Sequence, residues 1–144
     1  MQILFITSTR LGDAILSTGI LDYLASENPG AGITVVCGPL PAPLFQNAPG
    51  VREVIPLRKQ KRAGHWTQLW RRVHKTRWDI VVDLRNSLVS RLIPAKKRFI
   101  HGGHIDAKLH KVEQNAAVLK LGFAPPPRLC FSQEQKEQAA ELNE

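Results

Sequence analysis

The sequence predicts an α/β domain built on a doubly wound parallel sheet. Short apolar runs rich in branched residues recur five times along the 144 residues, and a helical pattern or a turn follows each run. Continuous apolar strands are typical of sheets that are covered on both faces. Regular alternation of strands with helices favours parallel strands joined by right-handed crossovers.

The five apolar runs are the predicted strands, and polar or turn-forming residues bound each of them. The strands are predicted at residues 2–7, 33–37, 51–57, 80–84 and 98–101. Apolar side chains at the i, i+3, i+4 spacing indicate the helices. The helices are predicted at residues 13–28, 64–76, 87–93, 109–121 and 132–143, with a short helix or turn after the second strand. Gly122 is expected to end the helix that begins near Leu109.

Composition and charge narrow the function classes. Hydrophobic residues make up 43% of the chain, and no apolar run is long enough to cross a membrane, so the sequence predicts a soluble domain. The spacing of Cys37 and Cys130 fits neither a disulfide framework nor a zinc site, which favours reduced thiols and a cytoplasmic location. The net charge is +8, and residues 51–111 carry sixteen Lys and Arg against four Asp and Glu. This excess indicates an anionic partner or, as an alternative, a solvated basic face without a ligand.

The carboxyl ends of the strands are where ligands bind in open parallel sheets. Three predicted loops lie there, at residues 8–13, 83–87 and 101–106. In the first loop, Gly12 permits close approach of a backbone, and Asp13 lies at the start of a helix, where the helix dipole stabilises a carboxylate. Asp13 can be interpreted as a plain N-cap residue or as a carboxylate base that faces a cleft.

Three familiar kinds of site do not match these loops. A P-loop requires a lysine and a second glycine, and a dinucleotide-binding loop requires three glycines, whereas the first loop has only Gly12. His101 and His104 flank two glycines, but no acidic or cysteine ligand completes a recognised set, so no metal is expected.

Four segments of the sequence carry a family resemblance. They are ILFITSTRLGDAILSTGILDYL, NAPGVREVIPL, WDIVVDLRNSLVSRLIPAKKRFIHG and HKVEQNAAVLKLGF. In this order they resemble glycosyltransferase family 9, the ADP-heptose:lipopolysaccharide heptosyltransferases. The resemblance extends over nearly the whole chain, although Gly19 stands where the family commonly has a proline.

The resemblance implies that the chain is the N-terminal half of a GT-B glycosyltransferase, with a Rossmann-like doubly wound parallel sheet. Residues 1–131 are expected to form the acceptor-side domain, and residues 132–144 a polar helix that leads toward an absent donor-binding domain. The implied enzyme moves heptose from ADP-heptose to the lipopolysaccharide inner core with inversion, without a metal or other cofactor. The chain alone is expected to be inactive.

The resemblance also implies roles for individual residues. Asp13 matches the aspartate of the family's L-G-D turn, which is the proposed general base. The acceptor carries carboxylates and phosphates, so polar and basic residues at the carboxyl ends of the strands are expected to contact it. The expected acceptor contacts are Arg10, Gly12, Lys59, Lys61, Arg62, Arg85, Asn86, Ser87 and His104. The nucleotide sugar is expected to bind mainly to the absent domain, and the protein is expected in the cytoplasm, in peripheral contact with the inner membrane.

The helix at residues 64–76 is interpreted differently from these loops. Its apolar spacing predicts Trp66 and Trp70 as core residues, and Arg71 and its basic neighbours as a solvated or membrane-facing surface. Two other functions stay open. One is a nucleic-acid-binding module, favoured by the pI of about 10.0 but without a recognised motif. The other is a non-catalytic nucleotide-binding domain that would tolerate the loss of Asp13. The enzyme hypothesis requires no nucleic acid.

Overall fold

A computed structural model describes residues 1–58, 64–102, 105, 108–121 and 125 of the chain. Strands and helices alternate along the described residues. The strands are β1 (Gln2–Ile6), β2 (Gly32–Cys37), β3 (Val51–Pro56), β4 (Trp78–Asp83) and β5 (Ala95–Ile100). The helices are α1 (Leu11–Glu27), a 3-10 turn (Ala42–Leu44), α2 (Gly64–Val73), α3 (Val89–Leu92) and α4 (Lys111–Val118). The predicted helix at residues 132–143 lies outside the described residues.

The five strands form one parallel sheet in the order β3-β2-β1-β4-β5. The chain moves outward from β1 through β2 to β3, returns to the other side of β1, and continues outward through β4 to β5. The strand order therefore reverses between β1 and β4, which is the position where doubly wound sheets form their ligand crevice. The predicted Rossmann-like, doubly wound fold class is confirmed.

Alternation along β1 divides the core into two layers. Ile3 and Phe5 pack in the cluster that includes α1 and α4, and Leu4 and Ile6 pack in the cluster that includes α2 and α3. All four side chains are fully buried, since successive residues of a strand point to opposite faces of the sheet. The central strand is thus fixed from both sides, which gives the loop after it a rigid base.

The last strand and the two helices around it differ from the sequence prediction. β5 begins at Ala95, three residues earlier than predicted, because it is an edge strand whose lysines face solvent and break the apolar pattern. α3 is only four residues long. The helix α4 ends at Val118, and Lys120 adopts a left-handed φ of 57° while its backbone N–H bonds to Ala117 O. The helix therefore ends before Gly122, which lies outside the described residues.

None of the described helices combines the length and the apolar character that crossing a membrane demands.

Candidate active site

The loop after β1 carries Asp13 into the first turn of α1. Arg10 is the N-cap residue, in extended conformation, and its carbonyl accepts a hydrogen bond from Ala14 N at 3.0 Å. Asp13 is the third residue of the helix and is half-buried. None of the hydrogen bonds and ion pairs found among the described residues engages its carboxylate. The N-cap interpretation is therefore wrong, and the carboxylate lies where the helix dipole favours negative charge.

Buried hydrogen bonds fix this loop to the sheet. The Thr7 backbone N–H donates to Val36 O at 2.8 Å, which extends the pairing of β1 with β2 by one residue. The Thr7 hydroxyl donates to Ser17 Oγ at 2.8 Å, and the Ser17 hydroxyl donates to Ala14 O at 2.7 Å. Because buried polar groups are costly to leave unpaired, this chain of bonds sets the distance between the end of β1 and the start of α1.

Gly38 allows the loop after β2 to touch the loop after β1. A methyl group on Gly38 would lie 2.6 Å from Thr9 Cα and 2.8 Å from Thr9 O, closer than such atoms approach in proteins. The Gly38 N–H also faces Ser8 O at 3.4 Å. The second loop thus holds the first in place, at a position where a side chain would collide with the Thr9 backbone.

Gly38→Ala is therefore expected to lower the free energy of unfolding by about 1–3 kcal/mol, because the added methyl group must push the Thr9 backbone away. Urea denaturation of the purified chain measures this change. Gly12→Ala is the control, because a methyl group there meets nothing within 4 Å, and an alanine inside a helix stabilises by about 0.5–1 kcal/mol relative to glycine. Effects of the same sign and size for the two substitutions would contradict this packing argument.

The loop after β4 is organised by Asp83. This carboxylate is fully buried, and it accepts hydrogen bonds from Arg85 N at 2.8 Å, from Ser87 N at 2.7 Å and from the Ser87 hydroxyl at 2.7 Å. Asn86 completes the turn with a left-handed φ of 57°, which asparagine tolerates better than most residues. Asp83 begins the loop at residues 83–87 that the sequence singled out, but no role was predicted for it; an aspartate that ends a strand, with a serine four residues later, was the available signal.

Beside this loop lies a cavity of about 630 Å³. The loop residues Arg85, Asn86 and Ser87 form one wall, and α2 supplies Trp66 and Trp70. The Arg85 guanidinium lies 4.9 Å from the centre of the Trp66 ring, which is a cation–π contact. Asp83 and the Trp66 indole thus hold the positive charge of Arg85 and the polar groups of the loop beside the cavity.

The two tryptophans differ in how they agree with the sequence interpretation. Trp66 is half-buried and packs against the core layer of Leu69 and Val73, as predicted, while it also lines the cavity. Trp70 is 36% exposed, so its prediction as a core residue is wrong. The apolar spacing identified the helix but did not separate the side chains that face the sheet from those that face the cavity.

Solved structures of glycosyltransferases have a similar fold. A glycosyl transferase of family 9 from Veillonella parvula DSM 2008 matches 97% of this chain with 47% of its own, at a TM-score of 0.77 and 21% identity. The chain has the fold of half a family 9 glycosyltransferase. ADP-heptose LPS heptosyltransferase II of E. coli matches 99% of this chain with 50% of its own, at a TM-score of 0.69 and 22% identity. The match with E. coli heptosyltransferase WaaC with ADP covers 88% of this chain and 49% of WaaC, at a TM-score of 0.65 and 18% identity.

These structural neighbours confirm the family resemblance seen in the four sequence segments. The chain spans about half the length of the structures that it matches. No family model matches the sequence, and neither does any curated protein. At 18–22% identity the likeness establishes the shared fold.

The residues expected from the family 9 resemblance divide into two groups. Six of them lie on the described loops: Arg10, Gly12 and Asp13 after β1, and Arg85, Asn86 and Ser87 after β4. These two loops are neighbours, because Ile6 pairs with Asp83 and the Leu84 N–H donates to Ile6 O at 3.0 Å. The other four residues lie outside the described residues: Lys59, Lys61, Arg62 and His104.

Two further groups bear on the chemistry of the site. Burial at the end of β2 raises the pKa of the Cys37 thiol to about 12, so this thiol stays protonated at neutral pH and is a poor nucleophile. Within the described part of the chain, His, Cys, Asp and Glu side chains form no group of three or more that could hold a metal ion. The His101 ring nitrogen Nε2 lies 3.4 Å from Gln114 Oε1.

Proposed function

We propose that the chain is the N-terminal, acceptor-binding domain of an inverting glycosyltransferase that moves heptose from ADP-heptose to the inner core of lipopolysaccharide. The observation that carries this proposal is the position of Asp13, a half-buried carboxylate in the first helical turn after the central strand, in a fold shared with heptosyltransferases. A second domain would bind most of the nucleotide sugar. The reaction would proceed without a metal.

In this reaction Asp13 is the general base. Its carboxylate accepts the proton of an acceptor hydroxyl while that oxygen forms a bond to the anomeric carbon of the donor heptose. The bond from the anomeric carbon to the diphosphate breaks on the opposite face of the sugar, and ADP leaves with the bonding electrons, so the configuration inverts. The N-terminal end of α1 stabilises the ionised carboxylate that the step requires.

The acceptor is an anionic glycolipid in this proposal. Carboxylates and phosphates of the inner core would contact Arg85 and Arg10, which are both exposed on the neighbouring loops. Asn86 and Ser87 offer hydrogen-bonding groups beside Arg85. Because this acceptor is anchored in a bilayer, the domain would work in the cytoplasm, at the cytoplasmic face of the inner membrane.

A transfer assay tests the proposal. The complete protein that joins this chain to a donor-binding domain is incubated with ADP-heptose and Kdo-lipid A, and the product is weighed by mass spectrometry. We expect the acceptor to gain the mass of one heptose residue, and the 144-residue chain alone to bind the acceptor without transfer. A folded two-domain protein that transfers no sugar from any nucleotide sugar would overturn the proposal.

A further inference from the structure

Three large apolar side chains are exposed together on the face of the sheet that α2 and α3 cover. Leu88 is 73% exposed, Leu92 65% and Trp70 36%, and all three line the same cavity. The leucines are four residues apart, and the Trp70 indole N–H faces Leu92 O at 3.5 Å. These three residues are called the α2–α3 patch. Exposed apolar side chains that adjoin one another mark a contact surface rather than ordinary solvent-facing positions.

The chain around the patch is strongly basic. Residues 64–77 contain four Lys and Arg and no Asp or Glu, and residues 84–98 contain five and none. Only two ion pairs are found among the described residues: Arg72 with Glu53, and Lys96 with Asp79. Most of this positive charge is therefore not neutralised by a described carboxylate, and Arg71, Lys75 and Arg77 are exposed.

The helices on the other face of the sheet, α1 and α4, carry no excess of positive charge. The helix α1 has Asp13, Asp22 and Glu27 and no lysine or arginine, and α4 has one lysine and one glutamate. A surface of negative charge would therefore attract the α2–α3 side of the domain more strongly than the α1 side. This asymmetry orients the domain as well as attracting it.

We propose that the α2–α3 patch docks the chain on an anionic lipid bilayer. Leu88 and Leu92 enter the interfacial region, Trp70 lies at the level of the headgroups, and basic residues such as Arg71 contact the lipid phosphates. A bilayer fits the combination of protruding leucines and unpaired positive charge, since it supplies an apolar layer directly beneath a layer of anions. The inference rests on the proposed location at a membrane and names the surface that makes the contact.

Docking in this orientation has a consequence for the acceptor. Leu88 and Leu92 line the same cavity as Arg85. A lipid-linked sugar can therefore reach the loop after β4 while its acyl chains stay in the bilayer. The patch and the proposed acceptor contacts would then form one continuous surface.

Vesicle cosedimentation of the 144-residue chain tests the inference. We expect binding to vesicles of phosphatidylcholine with phosphatidylglycerol, little binding to phosphatidylcholine alone, and weaker binding as salt rises. The double substitution Leu88→Asp and Leu92→Asp is expected to weaken binding at least tenfold, because both apolar contacts are lost. Arg71→Ser is expected to weaken it about fivefold, as for one basic residue at an anionic surface.

Leu40→Asp is the matched control. Leu40 is 69% exposed, like the patch leucines, but it precedes the 3-10 turn whose Ala42 packs in the core layer of α1. Its substitution is expected to leave vesicle binding unchanged, and circular dichroism checks that each variant is folded. Vesicle binding that survives the double substitution, or that Leu40→Asp reduces equally, would overturn the inference.

Two other outcomes separate this inference from its alternatives. Dimers in sedimentation that disappear in the double variant, with no vesicle binding by the native chain, would show that the patch joins two copies of the chain and would overturn docking on lipid. Vesicle binding by a complete protein that transfers no sugar would remove the proposed function and support the docking. Sugar transfer to a soluble acceptor without vesicle binding would support the proposed function and overturn the docking.

Discussion

Asp13→Asn is expected to lower kcat for heptose transfer by about two to four orders of magnitude in the complete protein, which is the usual contribution of a general base. Asparagine keeps nearly the same shape and fits the first turn of α1, but it cannot accept the proton of the acceptor hydroxyl. Because the carboxylate is half-buried and engages no other described group, its replacement is expected to leave the fold unchanged. Steady-state kinetics measures the loss of kcat, and circular dichroism checks that the fold is unchanged.

Asp22→Asn is the control for this substitution. Asp22 is half-buried on the same helix, away from the first turn, and removing its charge changes the net charge of α1 by the same amount. Its kcat is expected to stay within about twofold of the native value, since helix-dipole effects fall off within the first turn. A kcat for Asp13→Asn within tenfold of the native value would leave the fold assignment intact and remove Asp13 from the role of base.

Asp83→Ala is expected to lower the free energy of unfolding by about 3–5 kcal/mol. The substitution removes the acceptor of three buried or partly buried donors, which are the N–H groups of Arg85 and Ser87 and the Ser87 hydroxyl. Each unsatisfied buried donor costs about 1–3 kcal/mol, and relaxation of the loop toward water recovers part of the total. Urea denaturation of the 144-residue chain measures the loss.

Ser87→Ala provides the comparison, because it removes only one of the three donors and leaves Asp83 two backbone partners. Its expected cost is about 1 kcal/mol, the net value of one hydrogen bond. If both substitutions cost the same, the carboxylate would not be the group that organises the loop. The acceptor affinity of Asp83→Ala is also expected to fall, since Arg85 and Asn86 would lose their fixed positions beside the cavity.

Continuous apolar runs made much of the fold predictable from the sequence. The observed bounds of β1, β2 and β3 agree with the prediction to within one residue, and α1 begins two residues earlier than expected. Strands that are buried on both faces of the sheet consist of consecutive apolar residues, and such runs are visible directly in the sequence. The edge strand β5 was placed too late, because its exposed lysines carry no apolar signal. The helix α3 was predicted too long, because the bonds from Asp83 hold Ser87 in the preceding loop.

The candidate site was predictable only where it follows from strand order. The sequence alone predicted Asp13 at the carboxyl edge of the sheet, because a strand, a short loop and the start of a helix follow one another there. The hydrogen bonds of Asp83 depend on the left-handed conformation of Asn86, which the sequence does not reveal. The cavity depends on the side of α2 that the sheet leaves uncovered. Trp66 and Trp70 have the same helical spacing as core residues, and only the structure shows that Trp70 is exposed while Trp66 packs against the core beside the cavity. The roles assigned to Asp13 and to the acceptor contacts stay predictions.

The central place of β1 also governs how the chain can assemble during synthesis. One edge of β1 pairs with β2, which emerges from the ribosome soon afterwards, but the other edge pairs Ile3 with Ile80 and waits for β4. Until β4 is made, a nascent chain offers an open edge of a strand whose side chains are apolar on both faces. Such an edge is a template for aggregation. The strand that supports the loop of Asp13 is thus a part of the nascent protein that a chaperone would protect.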